Sequence, residues 1–219
     1  MTSEKVKFNK IRKRTLNGIL KEIPNSGFNE NMLIKSGQKL GLEKGVINRI
    51  FPEGLEEIKE YFFEEIDKKM IKILSKNNIE ELRIRDRIAT ALICRFELFQ
   101  KHKKSVIHIF STDFSNPLKS MSKLWSTADI IWKIAGDQST DFNHYTKRIL
   151  LSWVYLTTFA CWAKDKDKTF QETRSFLDRR IDEVLLFGKG SGKLKEKFSN
   201  LQFTEKILDL IKKLKTTKA

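Results

Sequence analysis

Residues 27–52 read GFNENMLIKSGQKLGLEKGVINRIFP, and their punctuation sets the early helices of the chain. Asn25-Ser26-Gly27 is a turn, and Asn29 or Asn31 can cap a helix that turns Leu33, Ile34 and Leu40 inward. Gly41 supplies the residue that ends such a helix. A third short helix runs from about Glu43 to Ile50, and Phe51-Pro52-Glu53-Gly54 breaks the chain before a longer one. Upstream, Val6, Ile11, Leu16, Ile19, Leu20 and Ile23 recur at helical steps, so residues 6–23 read as a helix that Pro24 stops.

Downstream the apolar spacing stays helical over about 54–75, 79–101, 103–110, 118–135, 141–163 and 168–187, with a loop at Ser111–Pro117. No alternating strand pattern of useful length and no internal repeat appears, so the expected fold class is all-α. The 219 residues allow one domain or two small ones. The 10 Gly and 3 Pro are too few for an all-β chain that must turn often. Cys94 and Cys161 lie in apolar runs without CxxC spacing, which excludes a disulfide scaffold and a cysteine zinc site and points to a reducing compartment.

Charge is concentrated at the two ends. Residues 1–52 carry 11 Lys+Arg against 4 Asp+Glu, and residues 189–219 carry 9 against 3, while the middle is nearly neutral. Basic ends suit phosphate-bearing partners, nucleic acid or anionic lipid, although a solvated lysine-rich face is the plain alternative. The N-terminus has no apolar signal core, and its basic residues run straight into a helical pattern, so it reads as mature protein. The longest apolar run, Ile149–Ala163, has 15 residues by the sequence and falls short of the roughly 20 a spanning helix needs.

The sequence Gly27-Phe28, Ile34, Leu40-Gly41-Leu42-Glu43-Lys44-Gly45-Val46-Ile47 and Phe51-Pro52 resembles the helix-turn-helix domain of TetR-type regulators. The resemblance implies a TetR-like fold. DNA reading is a separate matter. Asn48 and Arg49 could contact bases and phosphates. Glu43, however, stands where the pattern has a small hydroxyl residue, and Val46, Ile47 and Ile50 stand where polar readers would be useful. No specific nucleic-acid partner is therefore expected, and a DNA-binding TetR-type regulator is the alternative function.

Residues 132–148 carry a sharper signature. The block AGDQSTDFN at 135–143, followed by His144 and Tyr145-Thr146-Lys147-Arg148, resembles the hallmark of the ninth Coq protein family. Arg85-Asp86-Arg87, the Pro117 loop and Phe176-Leu177-Asp178-Arg179-Arg180-Ile181-Asp182 agree with it. Locally the block is a helix end, a turn and a helix start, in which Gly136 leaves the helix and Ser139, Thr140 or Asp141 can cap the next one. The resemblance implies a lipid-binding accessory protein of ubiquinone biosynthesis with a TetR-like fold, no longer dependent on reading DNA. It implies that this corner docks the di-iron demethoxyubiquinone hydroxylase. Helical spacing puts Asp141, His144, Tyr145 and Arg148 on one face, so these and Trp132 are the candidate contact residues; the alternative is that Asp141 and Arg148 serve only as an N-cap and an intrahelical ion pair. Where the family usually has Trp, this chain has His144.

Gly188-Lys189-Gly190-Ser191-Gly192 reads as a flexible linker before a basic amphipathic tail. Phe198, Leu201, Phe203, Ile207, Leu208, Ile211 and Leu214 form its apolar side, with lysines opposite. Such a helix lies in a membrane interface or packs on its own domain or a dimer mate; the family resemblance implies the membrane. The middle helices are rich in large apolar groups, and a TetR-like second domain implies an apolar cavity among them, which makes Leu92, Phe96, Phe99, Ile109, Phe110, Leu124 and Trp153 candidate lipid contacts, with ordinary core packing the alternative for each.

Catalytic chemistry finds no support. His102, His108 and His144 show no metal-ligand spacing, there is no ExxH pair, and no glycine-rich phosphate cradle occurs. Neither a metal nor a cofactor is expected, only an isoprenoid quinone or other lipid as ligand. The expected organisation is a helix-turn-helix-like subdomain (1–52), a helical ligand-binding and dimerisation domain (53–187), a linker (188–192) and a membrane-binding tail (193–219). A homodimer, peripheral on the cytoplasmic side of a bacterial inner membrane or on the matrix side of the mitochondrial one, is the expected state.

Overall fold

The computed structural model describes residues 3–113, 117–140 and 142–188, and every described element is helical. In chain order they are α1 (Ser3–Ser26), α2 (Glu30–Leu40), α3 (Lys44–Ile50), α4 (Leu55–Leu74), a single 3-10 turn (Ile79–Glu81), α5 (Ile84–Gln100), α6 (Lys103–Asp113), α7 (Pro117–Ile134), α8 (Phe142–Lys164) and α9 (Gln171–Gly188). The all-α expectation holds. Among the described residues, those up to Lys69 together with Phe99–Thr112 form one compact unit, and Met70–Leu98 together with those from Asp113 onward form a second. The expected linker beyond Gly188 and the whole tail, with Phe198, Leu201, Phe203, Ile207, Leu208, Ile211 and Leu214, lie outside the described residues, as does Asp141.

In the first unit the helix caps behave as their chemistry requires, while Ile34, expected inward, is exposed. Asn29 Oδ1 accepts the Met32 N–H at 2.9 Å and so caps α2. At the other end the Gly41 and Leu42 N–H groups return to the Gln38 and Gly37 carbonyls, the double closure that a left-handed residue makes possible. Leu16, Ile19, Leu20 and Ile23 of α1, Met32 and Leu33 of α2, and Ile47, Ile50 and Phe51 are buried. Gly37 lets α3 approach, because a Cβ there would run into the Ile47 side chain.

Pro24 does not stop α1, which continues to Ser26 with Pro24 inside it. Proline lacks the N–H that would bond the Leu20 carbonyl. That carbonyl instead accepts the Ser105 hydroxyl at 2.6 Å. A distant side chain thus replaces the missing donor, and Gly27, whose N–H bonds the Ile23 carbonyl at 2.8 Å, closes the helix.

Three further boundaries differ from expectation. The segment 79–101 is broken after its 3-10 turn, because the Arg87 guanidinium takes the Glu80 and Leu82 carbonyls in place of backbone donors. Residues 111–113 extend α6 rather than form a loop; the Ser111 and Thr112 hydroxyls bond the His108 and Ile109 carbonyls, each at 2.7 Å. α9 starts at Gln171, not 168. Asp167 accepts the Thr169 N–H at 3.0 Å, Asp165 accepts the Thr173 N–H at 3.0 Å, and the buried Phe170 sits at φ 58° between them.

The second unit buries Leu92, Phe96, Ile131, Val154, Tyr155, Phe159 and Trp162, with Phe96 stacked on Trp162 at 5.7 Å between ring centres. Both cysteines are free, and burial raises the Cys94 thiol to about 11, so it is protonated and inert. Among the described residues no helix is long and apolar enough to cross a membrane.

Candidate functional site

The block read as a hallmark forms the α7–α8 corner of the second unit. α7 ends in a double closure. The Gly136 N–H bonds the Lys133 carbonyl at 3.1 Å and the Asp137 N–H bonds the Trp132 carbonyl at 3.0 Å. Gly136 has φ +89°, a conformation L side chains rarely adopt, and a Cβ there would also press on Arg87 Nη1 at 3.2 Å. The same Arg87 nitrogen donates to the Ala135 carbonyl at 3.1 Å, so the start of α5 holds the end of α7.

From this turn Asp137 points inward and gathers three donors. Lys147 Nζ lies 2.7 Å from one carboxylate oxygen, Arg148 Nη1 lies 2.9 Å from the other, and the Ser139 hydroxyl is 2.9 Å from both. Arg148 Nε also meets Asp129 at 2.8 Å, and Lys133 meets the same Asp129 at 2.7 Å. Burial works against the Asp137 charge more than any single contact favours it. The hydrogen bonds from Lys147, Arg148 and Ser139 together outweigh it and hold the carboxyl well below the usual carboxylate range. The network is a two-carboxylate, three-cation lock between α7 and α8.

Aromatic rings cover the outer side of this lock. The Trp132 indole N–H bonds the Lys147 carbonyl at 3.0 Å, and Lys147 Nζ lies 5.3 Å from the Trp132 ring centre. His144 Nδ1 lies 2.9 Å from the Ser139 carbonyl. A carbonyl can only accept, so Nδ1 carries the hydrogen and Nε2 is the ring's acceptor when the imidazole is neutral. Tyr145 meets His144 edge-on at 5.2 Å and Trp125 at 5.9 Å, and it is 58% exposed. Ile149, one turn on, is 48% exposed.

The five residues read as contact residues therefore part company. Trp132 and His144 are half-buried, Tyr145 is outward, and Asp141 lies outside the described residues. Arg148 is 1% exposed and is spent on ion pairs with Asp129 and Asp137, not within its own helix. The Ser139 hydroxyl donates to Asp137. The sequence reading missed Trp125 as part of the surface and Asp137 and Asp129 as the centre of the lock. Trp125 was legible: it stands seven residues, two turns, before Trp132 on one helix.

The candidate lipid contacts are divided between the two units. Leu92, Phe96, Leu124 and Trp153 belong to the second; the first three are buried and Trp153, under Arg180 at 5.5 Å, is half-buried. Phe99, Ile109 and Phe110 belong to the first, where Phe99 and Phe110 pack with Phe63 at 6.2 and 5.5 Å. In α3, Ile47 and Ile50 face the core, so they do not displace polar readers as expected from the sequence. Lys44, Asn48 and Arg49 are outward, and Glu43 precedes the helix without capping it through its side chain. Among the described residues no group of three His, Cys, Asp or Glu is placed to hold a metal.

By its helices this is a TetR-like all-α protein. A solved TetR transcriptional regulator from Nitrosomonas europaea superposes with a TM-score of 0.68 at 16% identity, covering 81% of this chain and 99% of that one. Within that class the chain is similar to the COQ9 family: the COQ9 family model matches residues 118–188, which contain the whole α7–α8 corner. Ubiquinone biosynthesis protein COQ9, mitochondrial, of Rattus norvegicus is 27% identical over 84% of this chain and 62% of its own length. The Homo sapiens protein of the same name is 26% identical over 84% and 61%. Ubiquinone biosynthesis protein coq9, mitochondrial, of Schizosaccharomyces pombe is 28% identical over 77% and 68%. The chain thus spans about three fifths of the length of the rat and human relatives.

Proposed function

We propose that the chain is an accessory protein of ubiquinone biosynthesis that holds an isoprenoid quinone intermediate and presents it to the demethoxyubiquinone hydroxylase. The observation that carries this reading is the placement of the family match on a corner built for contact. A rigid ion-pair lock fixes α7 against α8, and on it stand Tyr145, Ile149 and the half-buried Trp125, Trp132 and His144. Exposed aromatic groups on a rigid base are the composition of contact centres. In this reading Trp132, His144 and Tyr145 touch the hydroxylase, and Arg148 positions them from beneath. Asp141 keeps the contact role expected from its helical spacing. A polyprenyl tail is too insoluble to leave a bilayer alone, and apolar burial offsets about 0.8 kcal/mol per CH₂. We place that burial within the second unit, with Leu92, Phe96, Leu124 and Trp153 as its residues, and the membrane contact on the tail beyond residue 192. The setting we infer is the matrix face of a mitochondrial inner membrane or its bacterial equivalent, with the chain as a homodimer.

The test is capture of the hydroxylase by the purified chain. Tyr145→Ala should weaken capture by more than about 1 kcal/mol while leaving the melting temperature in place, because the side chain is exposed. Normal capture by the variant would remove the corner from the interface. Mass spectrometry of the purified chain should find a co-purifying isoprenoid lipid; its absence from protein taken from ubiquinone-producing cells would overturn the carrier role. A second reading, DNA binding, has in its favour the outward Lys44, Asn48 and Arg49 of α3. A gel shift that survives physiological salt and excess competitor would establish it.

A further inference from the structure

Between α1 and α2 of the first unit lies a cleft of about 710 Å³ that the function above does not use. One wall is a single face of α1, on which Lys10, Arg14, Asn17 and Lys21 follow one another at steps of four, three and four. Ser36, Lys39 and Leu40 of α2 form the opposite wall. The volume lies within the roughly 300–1,000 Å³ of small-molecule sites.

The charges in this cleft are of two kinds. Lys13 is paired with Glu65 at 2.9 Å, and Lys39 is paired with Glu22. The Lys39 and Ser26 hydrogen bonds hold the Glu22 carboxyl below its usual range, so it is ionised and matched by Lys39. Lys10, Arg14 and Lys21 are different. All three are exposed along the cleft, and none meets a carboxylate among the described residues. Three like charges along about 16 Å of one helix repel one another unless an anion lies between them. Their heads can each take a different phosphate of one ligand, and Asn17 and Asn25 add neutral donors at the same wall.

We propose that this cleft binds a ligand bearing two or more linked phosphate groups, either free, as in a nucleoside triphosphate, or carried on a lipid headgroup. The recess distinguishes it from a duplex-binding surface, because the cations line a cleft walled by a second helix rather than a ridge. The site rests on the first unit alone and is independent of the α7–α8 corner.

The experiment is titration calorimetry of the full chain with inorganic tripolyphosphate and with ATP. Its second arm is co-sedimentation with phosphatidylcholine vesicles doped with a phosphatidylinositol bisphosphate. Lys10→Gln/Arg14→Gln/Lys21→Gln, three exposed positions, should weaken binding about tenfold or more. Asn17→Trp, which fills the cleft without changing charge, should weaken it comparably. Lys72→Gln/Lys76→Gln/Lys166→Gln, exposed positions of the second unit, removes the same charge and should leave binding near wild type. Heat with tripolyphosphate and ATP identifies a free polyphosphate. Vesicle binding alone, lost in the cleft variants, identifies a lipid headgroup. Equal loss in the cleft and control triples, wild-type binding by Asn17→Trp, or binding of duplex DNA alone would each overturn the proposal.

Discussion

Asp137→Asn is the sharpest perturbation of the corner, because it changes one atom and keeps the shape. Asp137 is 5% exposed in its side chain, and its three donors lie at 2.7 to 2.9 Å. Removing one partner of a buried ion pair costs about 3–5 kcal/mol when the other is left alone. Here Arg148 keeps Asp129 at 2.8 Å and Lys147 is 36% exposed and can reach water, so the expected loss is nearer 2–3 kcal/mol at about pH 7. The carboxyl is held below its unfolded value, so its contribution is complete above about pH 4 and fades as pH falls through the folded value. The asparagine variant has no such proton to take up. Urea unfolding followed by tryptophan fluorescence reads the right unit, since all four tryptophans lie in it. The gap between wild type and variant should hold its full size from neutrality down to about pH 4 and narrow below that as the pH falls. A gap below about 1 kcal/mol at neutral pH, or one of equal size at both ends, would show that the lock contributes nothing as a charge network.

Ser105→Ala leaves the Leu20 carbonyl, already denied a donor by Pro24, unsatisfied in the core; urea unfolding should show a loss of about 1–3 kcal/mol. Gly136→Ala forces φ +89° on an L residue and crowds Arg87, and should cost about 1–2 kcal/mol by the same measurement; no loss would mean the turn relaxes freely. Deleting residues 193–219, which carry 8 basic and 3 acidic side chains, should lower flotation with anionic vesicles. Each basic contact is worth about 1 kcal/mol and is screened by salt, so undiminished flotation would place the membrane contact elsewhere.

What the sequence discloses about this fold depends on how far apart the partners lie. Asn29, Gly41 and Gly136 act within a turn of themselves, and their neighbours in the chain are their partners in space, so capping and closure are legible. Pro24 fails as a stop for the opposite reason. The group that replaces its donor, Ser105, is about eighty residues away and nothing near Pro24 points to it. Arg87 breaks the helix at 79–84 in the same fashion, by carrying donors back to carbonyls that a local reading assigns to the backbone. In the corner, spacing places Tyr145 and Arg148 three residues apart, hence on neighbouring positions of α8. It does not say that the boundary between core and solvent runs between them. That boundary is drawn by Asp129 and Asp137, two carboxylates that pull the guanidinium inward, while among the described residues no hydrogen bond holds the phenol. A residue's side of a helix is thus set by its charge partners as well as by its register, and only the register is written in the spacing. The residues that face out at the corner can be separated from those that hold it by this criterion: a side chain with its hydrogen bonds spent on the lock positions the surface, and the exposed ring above it is what a partner can touch.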